Sequence, residues 1–79
     1  MQIDIRYFAA FREATGIASE PVDTGAKTAA ALFAECANRY PALQSYSASL
    51  VAVNDEMADW GRALADGDQV LFFPPVAGG

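Results

Sequence analysis

Apolar and polar residues alternate from the start of the chain: Ile3, Ile5 and Tyr7 share one parity, Gln2, Asp4 and Arg6 the other. This period of two predicts a half-buried strand over 2–8. Helix-forming residues follow over 9–14, and Gly16 can take the left-handed conformation that stops a short helix. A weaker extended segment covers 18–22; its Pro21 cannot donate to a ladder, which places it at a sheet edge. After a turn at Thr24-Gly25, Thr28 is positioned to cap a helix over 29–40 that Pro41 ends. In that helix Ala29, Leu32, Phe33, Cys36, Ala37 and Tyr40 recur at spacings of three and four, a single stripe that lays it on a sheet. A polar connection over 44–49 leads to a central strand over 50–54, closed by the turn-favouring pair Asn54-Asp55. A short extended piece is expected over 57–60. A tight turn over 64–68, with Gly67 supplying the positive φ, then starts the last strand over 69–73. The order is that of an α+β roll with a mixed sheet of four to five strands and one main helix across one face. The long helical connection permits parallel pairing of the first and last strands at the sheet centre.

Composition narrows the possible chemistry. The chain has 79 residues, 53% of them hydrophobic, which fits a single globular domain over 1–79. Its one cysteine, Cys36, sits in the helical stripe and reads as a small buried hydrophobe; no disulfide is possible within the chain. No apolar stretch approaches the roughly 20 residues of a membrane span, and no leader is evident, so a cytoplasmic protein without membrane contact is expected. A net charge of −5 with a single lysine, Lys27, argues against nucleic acid as a partner. Without histidine, the usual metal sites and general bases cannot be assembled, so no metal, no bound cofactor and no catalysis by the isolated chain are expected. The acidic excess suits a partner with a basic surface.

The last residues carry the functional signal. Pro74-Pro75-Val76-Ala77-Gly78-Gly79 follows the apolar run Val70-Leu71-Phe72-Phe73. Terminal glycines add nothing to a core and are entropically costly to order. They form a thread without side chains, ending on an α-carboxylate that can enter a narrow slot. Residues 74–79 are therefore expected to be a flexible tail, stiffened at its root by Pro74 and Pro75.

The block 66–79, with Phe8-Ala9, Arg12-Glu13, Gly16 and 51–54, resembles the small sulfur-carrying subunits of molybdopterin synthase, a ubiquitin-like β-grasp family. The resemblance spans essentially the whole chain. It implies that a ubiquitin-activating-type adenylating enzyme uses ATP to convert the Gly79 carboxylate to a glycyl adenylate, and that a sulfur donor protein then makes the 1-thioglycine thiocarboxylate. It further implies that the loaded tail enters the large synthase subunit, in a heterotetramer, and gives its sulfur to cyclic pyranopterin monophosphate to build the molybdopterin dithiolene. In that scheme Gly79 carries the reactive group and Gly78 gives it close passage.

Partner contacts are expected along the tail at Val76, Ala77, Pro74 and Pro75. Alternation also turns Leu71 and Phe73 outward from the last strand, Phe73 being the first interface candidate and Met57 the second. Arg12 is a rim candidate, whereas Asp66 and Asp68 are assigned to turn chemistry. Three other readings remain open: a β-grasp carrier for thiazole synthesis or transfer-RNA thiolation, a ubiquitin-like protein modifier, and an interaction domain with an idle tail.

Overall fold

The computed structural model describes residues 1–45 and 49–75. Five strands, β1 (Gln2–Tyr7), β2 (Ser19–Asp23), β3 (Leu50–Val53), β4 (Glu56–Ala58) and β5 (Gln69–Phe73), form one sheet in the order β2-β1-β5-β3-β4. β1 and β5 run parallel at its centre, with Ile5 opposite Val70 and Tyr7 opposite Phe72; every other pairing is antiparallel. Helices α1 (Ala10–Thr15) and α2 (Ala29–Arg39) complete the mixed α+β roll. Pro21 lies on the edge strand, where its missing N–H costs least.

The core lies between the sheet and α2. Ile3, Ile5, Val51, Val53, Val70 and Phe72 meet Ala29, Leu32, Cys36 and Ala37, all buried, with Phe11 of α1 closing one end. Phe72 is the hub: its ring lies 5.0 Å from Phe33, 5.9 Å from Trp60 and 6.5 Å from Tyr7, centroid to centroid. The N-terminus of α2 is fully satisfied from within. Thr28 Oγ1 accepts from the Ala31 N–H (3.2 Å), and the N–H groups of Ala29 and Ala30 donate to the carbonyls of Arg62 (3.0 Å) and Trp60 (2.9 Å). The same bonds hold the 59–64 loop against the helix.

Several expectations need correction. The strand predicted through Phe8 ends at Tyr7, because Ala9 turns the chain with φ 52° and ψ −124° and Phe11 N–H bonds the Phe8 carbonyl at 3.0 Å. After the helix, where only a stop at Pro41 was expected, a 3₁₀ turn, Pro41–Ser45, buries Leu43 in the core; of the connection read as polar over 44–49, residues 46–48 lie outside the described residues. The extended piece placed at 57–60 is β4, three residues long; Trp60 belongs to the following loop and packs on Phe33 at 5.3 Å. Thr24-Gly25 is an irregular connection held by side chains, with Thr24 Oγ1 donating to Glu35 and accepting from the Ala26 N–H. Gly16 and Gly67 have the positive φ expected of them.

Ala9 occupies a backbone region that favours glycine, which lacks the Cβ that clashes there. Relief of about 1–3 kcal/mol of strain, less about 0.5–1 kcal/mol of added chain entropy, predicts that Ala9→Gly raises stability. Urea unfolding of the two proteins checks this; an equal or lower midpoint for the variant contradicts it.

Candidate functional site

Among the described residues, no helix covers the face of the sheet away from α2. Register places Ser19, Arg6, Leu71, Ala52 and Met57 in one row across all five strands, and Phe73 opposite Leu50 in the row beyond. Phe8 follows β1 on the same parity, and its N–H still reaches the Phe72 carbonyl at 3.1 Å. The result is an apolar patch of Phe8, Leu50, Leu71, Phe73 and Met57. Phe8 and Met57 are each 62% exposed, while Leu71 and Phe73 are half-buried by their neighbours in the sheet. Exposure of large apolar side chains together on one face marks an interaction surface more than a folding element.

β5 carries this face into the tail. Its strand ends at Phe73, Pro74 is half-buried and Pro75 is exposed, so the chain leaves the body from the central strand. That strand is bonded on both sides, by β1 and β3, so the root of the tail is anchored at the centre of the sheet. The predicted sites Val76, Ala77, Gly78 and Gly79 lie outside the described residues.

The turns beside β5 hold its start in register. Asn54 and Asp55 both have positive φ, 52° and 69°, the pattern of a two-residue type I′ hairpin between β3 and β4. Asn54 then locks that hairpin to β5, its Oδ1 accepting from the Gln69 N–H (2.9 Å) and its Nδ2 donating to Asp68 Oδ1 (2.9 Å). Asp68 also accepts from the Ala65 N–H (2.8 Å), and Asp66 accepts from the Gln2 N–H (2.6 Å), so both aspartates do the structural task expected of them. The Ala65 N–H, then the Asn54 amide, pull the Asp68 carboxyl below its ordinary range.

A carboxylate with a depressed pKa stabilises the fold above its unfolded value of about 3.9, and that contribution is lost as pH falls through the folded value. Wild type should therefore be more stable than Asp68→Asn at pH 7, with the gap closing below about pH 4. Thermal unfolding across that range is the check; a gap independent of pH contradicts it.

On the helix side, the phenol of Tyr7 donates to Glu20 Oε2 at 2.7 Å, and Arg39 Nη2 donates to the same oxygen at 3.3 Å. Burial, with the bonds to Cys36 and Glu20, pushes the Tyr7 pKa up. Burial likewise pushes the Cys36 thiol up, against its hydrogen bond to Tyr7 and the nearby Arg39. Neither group is poised as a nucleophile or base, and both face the core.

Of the interface residues predicted from the sequence, Leu71, Phe73 and Met57 are brought together on the open face. Arg12, on α1, lines a cleft of about 330 Å³ at its margin with Arg6, Phe8, Asp55, Gln69 and Leu71. Sequence reasoning missed Phe8, Leu50 and Arg6 as members of this surface. Period-two alternation did contain the signal, since Phe8 has the parity of Arg6 and Leu50 that of Ala52. Among the described residues, no helix is long and apolar enough to cross a membrane.

Known proteins resemble this chain in sequence and fold. Residues 5–79 match the ThiS family. The molybdopterin synthase sulfur carrier subunit of Escherichia coli K12 is 35% identical over 98% of this chain and 99% of its own. SAMP1 of Haloferax volcanii, a small archaeal modifier protein, superposes with a TM-score of 0.84 at 30% identity, covering all of both chains. A chain from the complex of subunits 1 and 2 of the molybdopterin-converting factor of Helicobacter pylori covers all of this one at 26% identity and a TM-score of 0.71.

Proposed function

Because the chain belongs to the ThiS family, we propose that it is a sulfur carrier of molybdopterin synthase, working in the cytoplasm through the α-carboxylate of Gly79. The observation that carries this reading is the end-to-end correspondence with the E. coli sulfur carrier subunit, in a fold whose central strand leads directly into the Gly-Gly tail.

The chemistry follows from the carboxylate. A carboxylate is a poor electrophile until one oxygen becomes a leaving group. In the proposed cycle a Gly79 carboxylate oxygen attacks the α-phosphorus of ATP on an adenylating enzyme and pyrophosphate departs; hydrosulfide supplied by a sulfur donor protein then attacks the acyl carbon, AMP leaves with the C–O bonding pair, and loss of the S–H proton gives the thiocarboxylate. That group is anionic near neutral pH and a soft nucleophile, so the carrier needs no base of its own. The histidine-free sequence is compatible with this division of labour. Gly78 and Gly79 let the backbone approach the nucleotide and then the pterin in the large subunit, where a Cβ would obstruct. Pro74 and Pro75 limit the freedom lost when the tail inserts. The open face, with Phe73, Leu71, Met57 and Phe8, is the surface that each partner covers in turn.

The test is single-turnover transfer. Thiocarboxylated chain mixed with the large subunit and cyclic pyranopterin monophosphate should yield dithiolene product with one sulfur lost per carrier. Loss of sulfur without dithiolene would assign the carrier to a different acceptor.

A second reading, a protein modifier, is favoured by the likeness to SAMP1. In that role the activated Gly79 would be captured by lysine amines, and chains of the protein could be built only through Lys27 or the amino terminus. Adducts of higher mass that survive thiol reduction in cell extract would support it.

A further inference from the structure

The cleft between α1 and the open face breaks the charge pattern of the molecule. The chain carries ten acidic and five basic side chains, yet Arg6 and Arg12 face Asp55 as the charged members of this one lining. Arg12 has no ion-pair partner among the described residues. Arg6 makes a long contact to Asp4, Nε to Oδ2 at 3.5 Å, between two exposed side chains, and its guanidinium also faces the Gln69 carboxamide. The Asp4 pair is exposed and the Gln69 carboxamide oxygen, which accepts from Arg6 Nη2 and Nε, is neutral, so an incoming carboxylate is a stronger acceptor for Arg6 than either. Phe8, 62% exposed, and Leu71 supply an apolar wall beside the two guanidinium groups.

We propose that this cleft is the docking site for an extended acidic segment of the enzyme that activates the tail, a carboxylate side chain held between Arg6 and Arg12 and an adjacent apolar side chain seated on Phe8 and Leu71. The inference rests on the carrier reading and names the element of the partner that reads the body of the carrier apart from its tail. Charge complementarity selects the occupant. A local reversal of sign on an acidic protein fixes register, because a basic partner surface that matches the rest of the molecule is repelled there. At about 330 Å³ the cleft admits a few side chains and not a folded element. Its continuity with Leu71 and, two residues on, Phe73 places the segment along β5, in line with the root of the tail.

Calorimetric titration of the full-length chain into the adenylating enzyme, without ATP, is the test. The double variant Arg6→Glu/Arg12→Glu should raise Kd by at least about tenfold, and Arg12→Lys should retain most of the affinity, since it keeps the charge. The circular dichroism melt of each variant reports whether it remains folded. Wild-type affinity should also fall as salt rises from about 0.05 M to about 0.5 M, which needs no variant. Double-variant affinity within about twofold of wild type, or a wild-type Kd indifferent to salt, overturns the docking site while leaving the carrier reading intact. A wild-type chain that the enzyme neither binds nor loads overturns both.

Discussion

A chain lacking Gly79 should fold normally and accept no sulfur. The new end, Gly78, still offers a carboxylate, but it falls one residue short, about 3.3–3.6 Å, of the position that reaches the α-phosphorus. Misplacement of about 1 Å can cost on the order of 100-fold in rate, so a shift of this size should take loading below detection. Binding to the adenylating enzyme should weaken far less, because the open face is untouched. Loading assays on wild type and the truncated chain, paired with melting curves, separate the two effects. Loading of the shortened chain at a measurable fraction of the wild-type rate would mean that the tail is not read by length.

Phe72→Ala should leave the fold marginally stable at moderate temperature. Phe72 is fully buried on the central strand and contacts rings from β1, α2 and the 59–64 loop, so its removal leaves a cavity lined by Tyr7, Phe33 and Trp60. Such truncations cost about 3–5 kcal/mol. A domain of 79 residues has roughly 4–12 kcal/mol to lose. The effect reaches function as well, since the two residues that follow Phe72 are Phe73 and Pro74, the root of the tail. Phe73→Ala, by contrast, removes a half-buried ring on the open face and should cost less stability while weakening partner binding. Chemical denaturation of both variants checks the order; a smaller loss at position 72 than at position 73 would contradict the assignment of core and interface faces.

That assignment was legible in the sequence because strands report their faces locally. Alternation alone put Val70 and Phe72 inside and Leu71 and Phe73 outside, and the sheet agrees. Thr28 as helix cap and Gly16 and Gly67 at positive φ were readable for the same reason: each answers to the geometry of its own few residues. What escaped depended on distant partners. Leu43 belongs to no periodic apolar pattern, and only contact with the core gives its turn a reason to form. Trp60 looks like part of a strand but is drawn into the loop by Phe33, Phe72 and the N-terminus of α2. Ala9 breaks a local rule, taking a glycine-type conformation that ends β1, leaves Phe8 exposed and begins the helix that bears Arg12. A residue that violates its own propensity beside an exposed aromatic is a sign of constraint from outside the segment.

The proposed site is a reading of chemistry more than of surface. Two glycines add nothing to a core, which is what directs attention to the tail. The open face needed the strand order, because Arg6, Leu71, Ala52 and Met57 lie far apart in sequence and meet only when β1, β5, β3 and β4 pair.

The proposed function stands or falls on whether Gly79 carries sulfur. Incubation of the full-length chain with ATP, the adenylating enzyme and a sulfur source, followed by intact-mass analysis and fragmentation, tests it directly. Fragmentation is required because oxidation of Met1, Met57 or Cys36 gives the same nominal gain. The account predicts that one oxygen is replaced by sulfur at Gly79, only when ATP is present. An unchanged Gly79 under conditions that load a control carrier would contradict it and leave the chain a β-grasp binding domain with an idle tail.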